Sequence, residues 1–105
     1  MVVTLGAAYH GDTVGSVSLG GIELFHERYR PLLFDTLKVP PPYCYRCPFG
    51  LTYPSCDLKC AKDAEEAIQT MTSQGRVAAF LAEPIQGVGG FIVPPKEYFK
   101  EIVGI

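Results

Sequence analysis

Two short segments carry side chains suited to ligand chemistry. Ala7-Ala8-Tyr9-His10-Gly11-Asp12-Thr13 sets a phenol ring beside an imidazole and a carboxylate, just after the β-branched run Val2-Val3-Thr4-Leu5. Glu83-Pro84-Ile85-Gln86-Gly87 follows a second apolar run, Val77 to Ala82, and leads into Val88-Gly89-Gly90. A carboxylate at the carboxyl end of a strand is a frequent ligand contact in open α/β sheets. It is also a place where a carboxylate simply solvates a loop, and Tyr9 and His10 carry the same two readings. The cysteines form a third group, Cys44-x2-Cys47 and Cys56-x3-Cys60. The spacing within each pair suits four thiolates around tetrahedral zinc, although Pro48 and Pro54 stiffen the linker. Reduced thiols packed as small hydrophobes are the alternative.

The elements that must position these groups are legible from period and punctuation. Val2–Leu5, ended by Gly6, reads as a buried strand. Asp12 or Thr13 can cap a helix of small residues over Val14–Leu19, closed by Gly20-Gly21. Ile22, Phe25, Tyr29 and Leu32 make a helical face within 22–33, with Pro31 ending or bending it. Val39-Pro40-Pro41-Pro42-Tyr43 must be extended. From there to Cys60 no period is visible, so about 39–60 reads as an irregular Cys/Pro-rich insertion.

Helical periodicity returns over Ala61–Gln74, with Ala64, Ala67, Ile68 and Met71 on one face and Gly75 as C-cap. Asp63, Glu65 and Glu66 fall near its N-terminus, favourably for the helix dipole. The run 77–82 reads as a strand covered on both faces. Pro95 is placed to open a last helix over Lys96–Ile105 with Tyr98, Phe99, Ile102 and Val103 apolar. The order predicts an α/β fold with a parallel sheet flanked by helices. Two strands do not complete such a sheet, so further pieces of the domain are expected beyond these residues.

Composition excludes several classes. With 105 residues the chain is one domain at most. Nine basic against eleven acidic side chains, scattered rather than striped, exclude a nucleic-acid-binding polycation. No stretch approaches the ~20 apolar residues of a membrane span. The N-terminus carries no signal-peptide pattern, and the unpaired-looking cysteines agree with a reducing compartment, so the expected location is cytoplasmic.

The two chemical segments, in this order and spacing, resemble the class III pyridoxal-phosphate (PLP) aminotransferases. The matching residues are Tyr9-His10-Gly11-Asp12-Thr13-Val14-Gly15 with Ser18, then Glu83-Pro84-Ile85-Gln86-Gly87 with Gly89-Gly90, and Val93-Pro94-Pro95 entering a helix. Tyr-His-Gly-Asp-Thr and the loop Pro42-Tyr43-Cys44-Tyr45-Arg46-Cys47-Pro48 look most like adenosylmethionine–8-amino-7-oxononanoate aminotransferases. Ala82 to Pro95 looks equally like omega-amino-acid–pyruvate and alanine–glyoxylate enzymes.

The resemblance implies a partial large domain of a fold-type I PLP-dependent transferase over 1–105, working as a homodimer. Its partners would be a small-molecule amino donor and a keto acid or aldehyde acceptor. By similarity Tyr9 lies on the pyridine face, with His10 and Gly11 beside the cofactor. Glu83 and Gln86 belong to the substrate side, the matching glutamate of relatives pairing with an arginine that recognises substrate carboxylate.

The family's phosphate-binding glycine loop, its aspartate for the pyridine nitrogen and its Schiff-base lysine have no counterpart here. None of Lys38, Lys59, Lys62, Lys96 or Lys100 matches the lysine's motif. The expectation is a segment inactive by itself. Two other readings stay open, a zinc-braced binding module built on the four cysteines and a non-catalytic partner subunit.

Overall fold

The computed structural model describes all 105 residues, Met1–Ile105. Three strands, β1 (Val2–Leu5), β2 (Leu37–Val39) and β3 (Ala79–Leu81), form one parallel sheet in the order β2-β1-β3. Four helices, α1 (Val14–Leu19), α2 (Glu23–His26), α3 (Lys59–Thr72) and α4 (Tyr98–Val103), and a 3-10 turn at Arg30–Leu32 complete the order. The parallel α/β architecture is the one the sequence predicts.

β1 is central, and its composition suits that place. Val3, Thr4 and Leu5 are buried to within 1% of complete exclusion, as a strand paired on both edges and covered on both faces requires. Val3 and Leu5 join Val39, Ala61, Ala64, Tyr98 and Ile102 in one core, where α3 packs against β2 and α4. The small Ala61 and Ala64 let α3 approach closely, and Tyr98 fills the space left. Burial pushes the Tyr98 hydroxyl well above the ordinary tyrosine range, and that hydroxyl has no partner.

α1 starts as expected: Thr13 is its N-cap, and Thr13 Oγ1 accepts the Ser16 N–H at 3.2 Å. α3 ends at Thr72, and Gly75, at a φ of 65°, turns the chain just beyond it: its N–H donates to the Thr72 carbonyl while that of Arg76 donates to Met71.

Elsewhere the boundaries differ, each for a physical reason. The helical face over 22–33 yields only α2 and the 3-10 turn. The Pro31 ring has no N–H to give and crowds the preceding turn. α3 begins at Lys59, before the expected Ala61, so Asp63, Glu65 and Glu66 lie beyond its first turn, which holds no acidic residue. Two of them serve as side-chain partners instead: Asp63 pairs with Lys59, and Glu65 accepts from Gln69. α4 starts at Tyr98, because Pro95 is spent on a turn that receives the Tyr98 N–H.

Leu37–Val39 is a further strand, so the irregular segment covers 40–58 rather than the expected 39–60. The run 77–82 forms a shorter strand than expected, Ala79–Leu81, and among these 105 residues it pairs with β1 on one side, with Ala79 and Leu81 exposed.

Candidate cofactor and substrate site

Parallel pairing brings all three strand ends to one edge. Thr4 is in register with Leu81 and Leu5 with Val39. The loops after β1 and β3 therefore leave the sheet side by side, on the carboxyl edge where α/β sheets hold ligands.

Those two loops are laced together across the sequence. The Tyr9 amide donates to Glu83 Oε1 at 2.9 Å, and the Gly87 amide donates to Glu83 Oε2 at 3.0 Å. Gln86 Nε2 donates to the Gly6 carbonyl at 2.9 Å, and Gln86 exchanges both backbone hydrogen bonds with Ile92. The closest approach is at Gly89, where a Cβ would stand 2.3 Å from the Ala7 carbonyl oxygen. Only glycine fits there, and Ala7 itself takes a left-handed φ of 59°.

Tyr9 is held at three points. Its amide is fixed by Glu83, and its hydroxyl donates to Asp12 Oδ2 at 2.8 Å. Its ring meets Phe25 edge-on, with centroids 5.8 Å apart. The hydrogen bond to Asp12, aided by burial and by the carboxylate charge, raises the hydroxyl above the ordinary tyrosine range.

Beside it, His10 Nε2 is buried with no hydrogen-bond partner. Gly11 has a φ of 125° and lies against Ser16. Tyr9, His10 and Gly11 thus follow β1 in sequence, and Glu83 and Gln86 follow β3, at one sheet edge. Glu83 is half-buried, while Gln86 is 1% exposed and turned inward, with its Oε1 unpartnered. Asp12, the carboxylate of the first chemical segment and a possible helix cap, and Phe25, expected only on a helical face, also belong here. The Tyr9–Thr13 segment marks the first in sequence; nothing local marks the second.

Four of the five lysines are engaged elsewhere. Lys38 Nζ donates to the Ser18 and Leu19 carbonyls at the end of α1, and burial lowers its pKa. Lys59 and Lys62 pair with Asp63 and Asp57, and Lys96 lies 3.7 Å from Glu97.

All four cysteines line one narrow cavity of about 20 Å³, room for a single water. They are free thiols, and no three His, Cys, Asp or Glu side chains are grouped to hold a metal ion. This arrangement gives no support to the zinc alternative for Cys44, Cys47, Cys56 and Cys60. Cys44 is exposed at the surface, while the other three are half-buried along the walls, so the sulfurs share a cavity without forming a ligand set. Burial, with smaller contributions from Cys56 and Cys47, raises the Cys44 thiol, and burial likewise raises Cys60.

No helix is long and apolar enough to cross a membrane. Residues 1–105 match the family described as aminotransferase class-III. The adenosylmethionine-8-amino-7-oxononanoate aminotransferase of Geobacter sulfurreducens is 46% identical over 102 residues, covering 95% of this chain and 22% of that protein. The leucine/methionine racemase of Thermococcus litoralis is 38% identical over 95 residues, covering 90% of this chain and 21% of that protein.

An amine transaminase structure from an uncultivated Pseudomonas species, in its PLP-bound form, superposes with a TM-score of 0.86 at 34% identity. The match covers 96% of this chain and 23% of that one. The chain thus spans about a fifth of the length of these relatives. With the laced loops at the carboxyl edge and the whole-length family match together, the chain belongs to the class III aminotransferase family.

Proposed function

We propose that these residues supply the cofactor face and part of the substrate side of a PLP-dependent aminotransferase. The reaction would move an amino group from a small-molecule amino donor to a keto acid or aldehyde. The observation that carries this reading is the convergence of the Tyr9 and Glu83 loops at one sheet edge, joined by the Tyr9 amide bond to Glu83.

PLP fits the residues present. A pyridine ring needs a fixed planar surface, and Tyr9 is held at its amide, hydroxyl and ring edge before any ligand arrives. A polar heterocycle also answers the unpaired, buried His10 Nε2. When bound, PLP supplies the electron sink that amino-group transfer requires. Tyr9 orients the ring plane, His10 offers its nitrogen to a polar group, and Gly11 leaves room beside them. Glu83 stands at the substrate side, with lone pairs beyond the two already engaged.

By this reading the 105 residues do not transaminate alone, since no lysine matches the one that holds PLP in the family. The reading includes a homodimer. Leu24, Tyr29 and Leu32 are 77%, 58% and 65% exposed around α2 and the 3-10 turn, apolar surface of the kind that subunit contacts cover.

A chimera tests the proposal. This chain replaces the matching segment of the Geobacter sulfurreducens enzyme, and PLP absorbance and amino transfer are measured beside the isolated chain. The chimera is expected to bind PLP and transfer amino groups, and the isolated chain to do neither. A folded chimera that binds no PLP, or an isolated chain with stoichiometric transamination, overturns the reading.

A further inference from the structure

The Glu83 carboxylate has an unusual pair of partners for a substrate-side residue. Both oxygens accept backbone N–H groups, one from the loop after β1 and one from its own loop. The first partner is 74 residues away in sequence, so this one side chain spans the seam between the loops. Each bond is a charge-assisted one, roughly twice as strong as a neutral pair.

The amide it holds belongs to Tyr9, whose ring is otherwise steered only by Asp12 and Phe25. Glu83 touches no part of the Tyr9 ring; it fixes the backbone from which that ring projects. Gln86 and Gly89 reinforce the same seam at Gly6 and Ala7 but leave the Tyr9 amide alone.

We propose that Glu83 is a positioning residue for Tyr9, in addition to any contact it makes with substrate. Through the Tyr9 amide it sets where the ring sits against the cofactor, so it acts on cofactor retention as well as on substrate binding. This rests on the reading of Tyr9 as a cofactor-face residue. Glu83→Gln keeps the side-chain length and one carbonyl acceptor, Glu83→Ala removes both acceptors, and Glu83→Asp is too short by one methylene to span the seam.

The first readout is amide hydrogen exchange, followed residue by residue on the 105-residue chain. Glu83→Ala is expected to release the Tyr9 and Gly87 amides while the Gln86 and Ile92 amides, which bond each other, stay protected. Glu83→Gln is expected to release only one of the two. Retained Gln86–Ile92 protection distinguishes loss of the clamp from unfolding. Should Glu83→Ala unfold the chain, the isosteric Glu83→Gln carries the test.

The second readout is PLP dissociation from the chimera. Loss of a hydrogen bond to a charged acceptor is expected to weaken PLP retention about tenfold in Glu83→Ala. The KM for the keto acid should change by a different factor, and Glu83→Asp should not rescue retention.

Unchanged Tyr9 exchange in folded Glu83→Ala and Glu83→Gln overturns the proposal. So does a KM effect with PLP retention untouched, which would make Glu83 a substrate contact only. If the exchange pattern is as expected but the unsubstituted chimera binds no PLP, the clamp stands and the aminotransferase reading fails.

Discussion

Two irregular regions of this molecule are held in opposite ways. The loops after β1 and β3 are tied by contacts between residues 74 to 80 positions apart: Tyr9 with Glu83, and Gly6 with Gln86. The cysteine segment, 40–58, is held mainly by its own short turns. Gly50 donates to Cys47, Cys56 to Thr52 and Asp57 to Pro54. Its side-chain link to a distant element is the Tyr53 hydroxyl on Glu97 at 2.6 Å.

Both regions gather chemically capable side chains, yet only the first has its backbone over-determined from outside. That rigidity is what a ligand-orienting site needs, because a group held in place before binding loses little freedom on binding. Thiols strung along local turns share a cavity but do not converge.

The largest test of this contrast is Gly89→Ala. The added carbon would overlap the Ala7 carbonyl, so backbone must move on one side of the seam. A loss of about 3 kcal/mol is expected in urea unfolding, the upper end for inserting a methyl into a tight contact. A loss within ~0.5 kcal/mol would show that the seam is loose and the two regions are alike.

The cysteine region should respond far less. Cys44→Ser, at an exposed thiol, is expected to stay within ~0.5 kcal/mol of the parent. Chelator treatment should leave helicity unchanged by circular dichroism. A large chelator-dependent loss would mean a metal holds this loop as firmly as hydrogen bonds hold the other.

The smallest effect concerns pH at the Tyr53–Glu97 link. The Tyr53 hydroxyl, helped by the Lys96 charge, holds the Glu97 carboxyl below its usual range, and Glu97 holds the Tyr53 hydroxyl above its own. The contribution is therefore present between the ordinary carboxylate and ordinary tyrosine ranges. It is lost as pH falls through the lowered Glu97 value, and again as pH rises through the raised Tyr53 value. Both groups are solvent-facing, so the change is small. Tyr53→Phe should flatten this part of the stability-against-pH curve, and an unchanged curve would remove the link from the account.

Much of this protein is legible in one dimension. The Thr13 cap, the 3.6-residue period of α3 and the Gly75 turn all rest on interactions within about five residues, and the β-branched run at 2–5 marks its strand by composition. The order of strands and helices announced the α/β class, and the ordered Tyr9 and Glu83 segments announced the family.

What the tertiary structure decided lies at longer range. Leu37–Val39 is too short and too close to prolines to announce itself, and becomes a strand because β1 offers it an edge. Within these residues β1 takes the centre and the run 77–82 pairs with it along one side. Gln86 turns inward, and Glu83 reaches Tyr9, because the β1–β3 register sets Leu81 beside Thr4 and so aligns the loops that follow. Local propensity reaches about one helical turn; which loops meet across 74 residues is set by strand register and packing, and no periodicity in the chain encodes it.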